Sequence, residues 1–295
     1  MRLTKTCFKW MSLPAISLAG VLLAVPLNMG GCAGDVMRAT GGAIGGTEGA
    51  LLTAGGTAAD AAALSERQED GLGQSVAIAI TSQFGVVSNE ALNRYVTLVG
   101  LTVASSSKRP DGNYLFGVVN TPQINAFSGP NGYILITRGA IEAMQDESEL
   151  AGVLAHEIAH VANHDGLEAV RTGGYLAAFQ QAGSAVSSEL ALLNAATDGA
   201  IEVITKKGYG QPQEFKADKD AVKILIAAGY DPNGFKRFLE RMNSGASGSL
   251  STHPGKEKRV ALVSKEIDER FTAKNRTGVT LKDRFLKNVG RKSTR

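Results

Sequence analysis

The stretch LAHEIAHVANHD at residues 154–165 constrains this chain more than any other, because it holds three of only four histidines, His156, His160 and His164, at four-residue spacing. On an α-helix, residues four apart lie one turn above each other on one face, so His156 and His160 direct two imidazoles at a single point. Glu157 leans to the side of that point, where a carboxylate bonds a metal-bound water instead of the metal. His-Glu-x-x-His therefore reads as two metal ligands and a general base, provided the segment is helical. The residues between them, Leu154, Ala155, Ile158, Ala159 and Val161, make the remaining faces apolar, as expected for a helix inside a domain.

A hydrolytic zinc takes a third protein ligand and keeps one position open. A metzincin would carry Gly three and His six residues after His160; Asn163 and Gly166 stand there, which excludes that class. His164 is in phase with the other two histidines, but three imidazoles along a straight helix span two turns and do not all reach one ion. It reads as a residue supporting the site from outside or as a surface residue. The third ligand is then a glutamate from a later helix. Glu168, Glu189 and Glu202 qualify by type, and Glu214 in QEFKADKDA is distinguished by Asp218 one turn on, which puts a ligand and a carboxylate able to orient a histidine ring on one face. Lys216 and Lys219 give the same segment the alternative of a solvated, salt-bridged face.

Around the motif, helical periodicity covers residues 66–84 and a second helix capped by Ser88 or Asn89 and running to about Ala104. YLFGVVN, INAF and YILIT are strand-like runs forming a small sheet of two or three strands, with SGPNG as a turn. Asp146, Glu147 and Glu149 favour the start of the helix that carries the motif to about His164. Beyond it the chain is mostly helical to its end. The predicted fold class is α+β, mostly helical, with a small sheet beside the active-site helix.

The first 31 residues have a basic start (Arg2, Lys5, Lys9), an apolar run over 10–27 and small residues before Cys32, which is the plan of a bacterial lipoprotein signal peptide with acylation at Cys32. Met29 and Gly30 depart from the usual Leu and Ala or Ser of that signal. Without this segment the formal charge of +3 disappears, so bulk charge points to no nucleic-acid partner. Cys7 lies in the removed segment, so no disulfide framework forms. The expected organisation is signal peptide 1–31, Gly/Ala-rich tether 32–65, metallopeptidase domain 66–270 and basic C-terminal tail 271–295. That tail is expected to be solvated, with binding to anionic lipid headgroups as the second reading.

In order along the chain, NAFSGPNGYILITRGAI, ELAGVLAHEIAHVANHD, GYGQPQEFKADKDAV, AGYDP and STHP resemble the HtpX-like metallopeptidases, a family related to the CAAX prenyl proteases, and in particular their periplasmic, outer-membrane-associated members. The resemblance spans about residues 113–263. It implies a gluzincin fold, one zinc per chain held by His156, His160 and Glu214, Glu157 as the base, and Asp218 supporting a histidine. It also implies cleavage of unfolded or misassembled envelope proteins at the periplasmic face of the outer membrane, with the lipid on Cys32 as anchor. The alternative function is a chaperone or assembly factor for outer-membrane proteins with little proteolysis; a scaffold lipoprotein acting through its Gly-rich segment is a third. His253 in STHP resembles the family's His-Pro loop. Its imidazole is read as a catalytic donor to the oxyanion of the scissile carbonyl, as a gate on the open zinc position, or as a surface residue before a helix start at Pro254, and the flanking glycines and serines favour the gate.

Overall fold

The computed structural model describes residues 66–172, 198–243 and 256–291. The signal segment with Cys32, the Gly/Ala-rich tether, Glu189 and His253 lie outside the described residues.

Two helices open the described chain, α1 (Glu66–Phe84) and α2 (Glu90–Ala104). The Asn89 side chain accepts a hydrogen bond from the Leu92 N–H at 3.1 Å, which fixes the start of α2 by satisfying a backbone donor that a helix leaves unpaired. Three strands come next: β1 (Leu115–Val119), β2 (Ala126–Ser128) and β3 (Tyr133–Thr137). They form one sheet in the order β1-β3-β2, with β1 parallel and β2 antiparallel to β3, in a register that pairs Leu115 with Tyr133 and Ala126 with Ile136. Side chains along a strand alternate between its faces. Ile134, Ile136 and Ala126 accordingly join the main core, whereas Leu135 and Phe127 join a smaller cluster with Leu72, Val76 and Ile80 of α1. The same alternation puts Ser128 on the face shared by Ala126.

A short helix α3 (Arg138–Ala143) leads into α4 (Glu147–Ala162), the helix that bears the histidines. Asp146 caps α4 by accepting from the Glu149 N–H at 3.1 Å, and Glu147 and Glu149 place negative charge in its first turn, where the helix dipole favours it. Residues 147–161 are all buried. Leu150, Leu154 and Ile158, four apart and fully buried, each contribute on the order of 1.5–3 kcal/mol through removal of apolar surface from water. His164 then takes a left-handed conformation with φ 57°, ending that helix and redirecting the chain into α5 (Asp165–Thr172).

The π-helical turn Val203–Lys207 precedes Gly208, whose φ of 73° suits a residue without a Cβ, and α6 (Gln211–Ala227) starts at Gly210 with Pro212 in its first turn. α7 (Asn233–Asn243), α8 (Lys256–Arg270) and α9 (Lys282–Asn288) complete the described elements. α4 is the axis of the packing, with α2, α6 and α7 against it and α8 closing over α6 and α7. The architecture is α+β and mostly helical, with a three-stranded sheet beside α4.

β3, the YILIT strand, lies between β1 and β2 with both its edges paired, while β2, which carries the end of INAF, borders the sheet. One expectation is corrected. The tail 271–295 was expected to be solvated. Instead α9 buries Phe285 and Leu286 in the main core, and Arg284 bonds the buried Glu147 at the start of α4. The lysines and arginines dominate the charge of that segment, and Phe285 and Leu286 among them decide its packing.

Candidate metal centre

α4 and α6 pack against each other, and the small residues Ala155 and Ala159 on one and Ala217 and Ala221 on the other are all buried in the same core. That approach brings the functional side chains of the two helices to one point. The donor atoms of His156, His160 and Glu214 all lie within 4.8 Å of one another, and all three residues are buried. The two Nε2 atoms are 3.1 Å apart, and each is 3.4 Å from an oxygen of Glu214, His156 from Oε2 and His160 from Oε1. Tetrahedral ligands about 2.1 Å from a zinc ion would stand about 3.4 Å from each other, so this donor set has a spacing close to what such an ion requires.

Carboxylates hold the opposite sides of both rings. Asp165, at the start of α5, lies 2.7 Å from His160 Nδ1, and Asp218 lies 3.0 Å from His156 Nδ1. Each bond makes Nδ1 the protonated nitrogen and leaves Nε2 as the one that faces the common point. Four buried carboxylates, Glu157, Asp165, Glu214 and Asp218, thus surround two imidazoles and one guanidinium, that of Arg259. Burial alone would push the His160 imidazole down, but its bonds to Asp165 and Glu214 and the charges of Glu214 and Glu157 outweigh that effect and raise it to about 9. Burial likewise pushes Asp218 up, and Arg259 and His156 together hold it instead at about 2. The surroundings favour positive charge at the histidines, and a divalent cation satisfies them as a proton does.

Glu157 is buried beside this point, and its Oε2 accepts a hydrogen bond from the Ser128 hydroxyl at 2.7 Å. Tyr209, on the turn before α6, donates to the Ser128 carbonyl at 3.2 Å and lays its ring against His160, centroid to centroid 4.4 Å. A narrow crevice is lined by β2, Glu157, Ile204, Gly208 and Tyr209. β2 is therefore the strand that runs beside the carboxylate.

Among the candidates named from the sequence, the structure brings together His156, Glu157, His160, Glu214 and Asp218. His164 is exposed and faces Glu69 of α1, with Nδ1 3.4 Å from Oε1. Glu168 is exposed on α5, and Glu202 pairs with Lys207 at 3.0 Å. Glu214 and Asp218 are fully buried, which removes the solvated-face alternative. Four residues at the site were not foreseen: Asp165, Ser128, Tyr209 and Arg259. Asp165 stood inside the quoted motif, but five residues after His160 is not a helical spacing, and only the left-handed His164 folds it back.

A family model described as peptidase family M48 matches residues 90–267, more than half of the chain. Among curated relatives, the putative beta-barrel assembly-enhancing protease of Vibrio cholerae is 31% identical over 192 residues, covering 59% of this chain and 39% of the relative. The beta-barrel assembly-enhancing protease of Escherichia coli K12 is 27% identical over 239 residues, covering 72% and 49%. A protease HtpX homolog of Fusobacterium nucleatum is 28% identical over 156 residues, covering 46% and 48%. This chain spans about half or less of the length of these relatives. Among the described residues no helix is long and apolar enough to cross a membrane. The matched span contains α2 through most of α8, hence every residue of the centre, and the chain belongs to peptidase family M48.

Proposed function

We propose that this chain is a zinc-dependent endopeptidase that cleaves unfolded or misassembled envelope proteins. The observation that carries the reading is the convergence of His156, His160 and Glu214 within 4.8 Å, with Glu157 beside them. These three residues hold the ion, one per chain. Bound there, zinc supplies Lewis acidity, which lowers the pKa of a water toward neutrality and polarises a scissile carbonyl. Glu157 takes the proton of the attacking water on a carboxylate oxygen and passes it to the leaving amine. Ser128 donates to Glu157 Oε2 and so holds the orientation of this carboxylate. Asp165 and Asp218 keep the two imidazoles in the tautomer that presents Nε2.

Envelope proteins are proposed as substrates because relatives at this level of similarity bear the name beta-barrel assembly-enhancing protease. The same name supports a second reading, assistance to outer-membrane protein assembly with little proteolysis. Incubation of the zinc-loaded mature chain with an unfolded polypeptide, beside Glu157→Gln, separates the two. Cleavage by the parent alone, with equal zinc in both proteins, is expected. Equal activity in assembly assays with no cleavage by either would replace the enzyme reading with the assembly factor. Export and lipid attachment at Cys32, at the periplasmic face of the outer membrane, belong to the same proposal and rest on the basic start, apolar run and GGC of the sequence. Mass spectrometry of the mature N-terminus should find an acylated Cys32; an unmodified residue there sinks the anchor.

A further inference from the structure

Arg259 is the largest fully buried side chain among the described residues, and a lone buried guanidinium would be strongly destabilising. It comes from α8, far from the histidine motif in sequence, and ends inside the metal centre. Its Nε and Nη2 donate to the two oxygens of Asp218 at 2.8 and 2.7 Å, the fork geometry in which an arginine holds a carboxylate most firmly. Its third nitrogen, Nη1, lies 3.2 Å from Glu214 Oε2. Nη2 also packs against the His156 ring, 3.4 Å from Nε2 and 3.5 Å from Nδ1.

Glu214 and Asp218 are four apart on α6 and both fully buried, so their like charges face each other without solvent between them. Arg259 lies between the two and offsets that repulsion. The same contacts fix orientation. The ion pair with the guanidinium fixes the carboxylate of Glu214, whose Oε2 and Oε1 lie 3.4 Å from His156 Nε2 and His160 Nε2 respectively. Asp218 Oδ1, which accepts from Arg259, is also the atom 3.0 Å from His156 Nδ1, so the orientation of that ring depends on the arginine at one remove. One side chain therefore governs two of the three donors.

Building on the ligand assignment of His156, His160 and Glu214, we propose that Arg259 is a positioning residue that sets zinc affinity, holding the Glu214 carboxylate and, through Asp218, the His156 ring. A lysine cannot substitute, because an ammonium is a single point of charge and cannot span two carboxylates with a planar fork.

The test uses the full mature chain, the parent and Arg259→Lys, with zinc affinity measured by competition with a chelator and coordination read from the visible spectrum of the Co²⁺-substituted protein. Arg259→Lys is expected to bind zinc about 10–100-fold more weakly, the usual consequence of losing a ligand's supporting partner. Its cobalt bands are expected to change in position and intensity as the Glu214 carboxylate and the His156 ring lose their fixed orientation, while KM for an unfolded substrate stays unchanged. Parent-like zinc affinity and an unchanged cobalt spectrum would overturn the proposal. Glu214→Ala is measured alongside: if it keeps parental zinc affinity, the ligand assignment itself fails, whereas its loss of zinc beside a parent-like Arg259→Lys removes only the positioning role. Should the lysine variant fail to fold, Arg259→Gln takes its place; if neither folds even in excess zinc, Arg259 is a core residue and the proposal falls.

Discussion

At the scale of single residues the centre is a matter of charge and orientation. Asp165 and Asp218 occupy equivalent places behind the two imidazoles, each within hydrogen-bond reach of Nδ1. Asp165→Asn keeps the size of the side chain but removes the charge, and the amide can turn its NH₂ toward the ring. Zinc affinity is expected to fall about 10–100-fold, measurable by chelator competition, with no change if Asp165 is merely a helix-start residue. The convergence of His156, His160 and Glu214 was legible in the sequence because its information is local: two histidines one turn apart, and a glutamate one turn before an aspartate. Arg259 and Ser128 were not, because the chain reaches the centre there from other elements, and nothing in KEKRV or AFSGP marks a residue that points inward. Strand alternation could have found Ser128 once Ala126 and Ile136 were placed against α4. For Arg259 no local signal exists.

At the scale of elements, α4 is held at its first turns by side chains from the C-terminal part of the fold. Arg237 bonds Asp146 at 2.6 Å, Arg241 bonds Glu149, and Arg284 with the hydroxyls of Tyr95 and Tyr230 holds Glu147. Further along, Gly152 lets α7 come close: a Cβ there would meet the Phe235 Cβ at 2.6 Å. Gly152→Ala should therefore push α7 outward and destabilise the fold by about 1–3 kcal/mol despite the higher helix propensity of alanine, as read by chemical denaturation. An unchanged or raised midpoint would mean that the two helices yield without loss of packing. The helices and strands near the motif were legible because their apolar periods of 3.6 and 2 survive in the sequence. Strand order was not, since YILIT and INAF carry similar apolar runs and only the crossover that makes β1 and β3 parallel puts YILIT in the middle.

At the scale of the whole molecule, α9 belongs to the domain as much as α4 does. Deleting residues 281–295 removes Phe285 and Leu286 from the core, each on the order of 1.5–3 kcal/mol, and leaves the fully buried Glu147 without its cation. A loss of several kcal/mol is expected in thermal or denaturant unfolding of the zinc-loaded chain, whereas a solvated tail could be cut without effect. Composition concealed this role, because a stretch crowded with lysine and arginine shows its charge before its two anchors. The burial of α4 along 147–161 carries a further consequence, for how the protein breathes. Amide hydrogens on a helix sealed on every side reach solvent only when the surrounding packing opens, so these amides are expected to exchange with deuterium at the rate of global unfolding and together. The peptide bonds of the histidine-bearing turns then report on the cohesion of the entire domain, and a population of molecules with a frayed α4 inside an otherwise native shell should not exist.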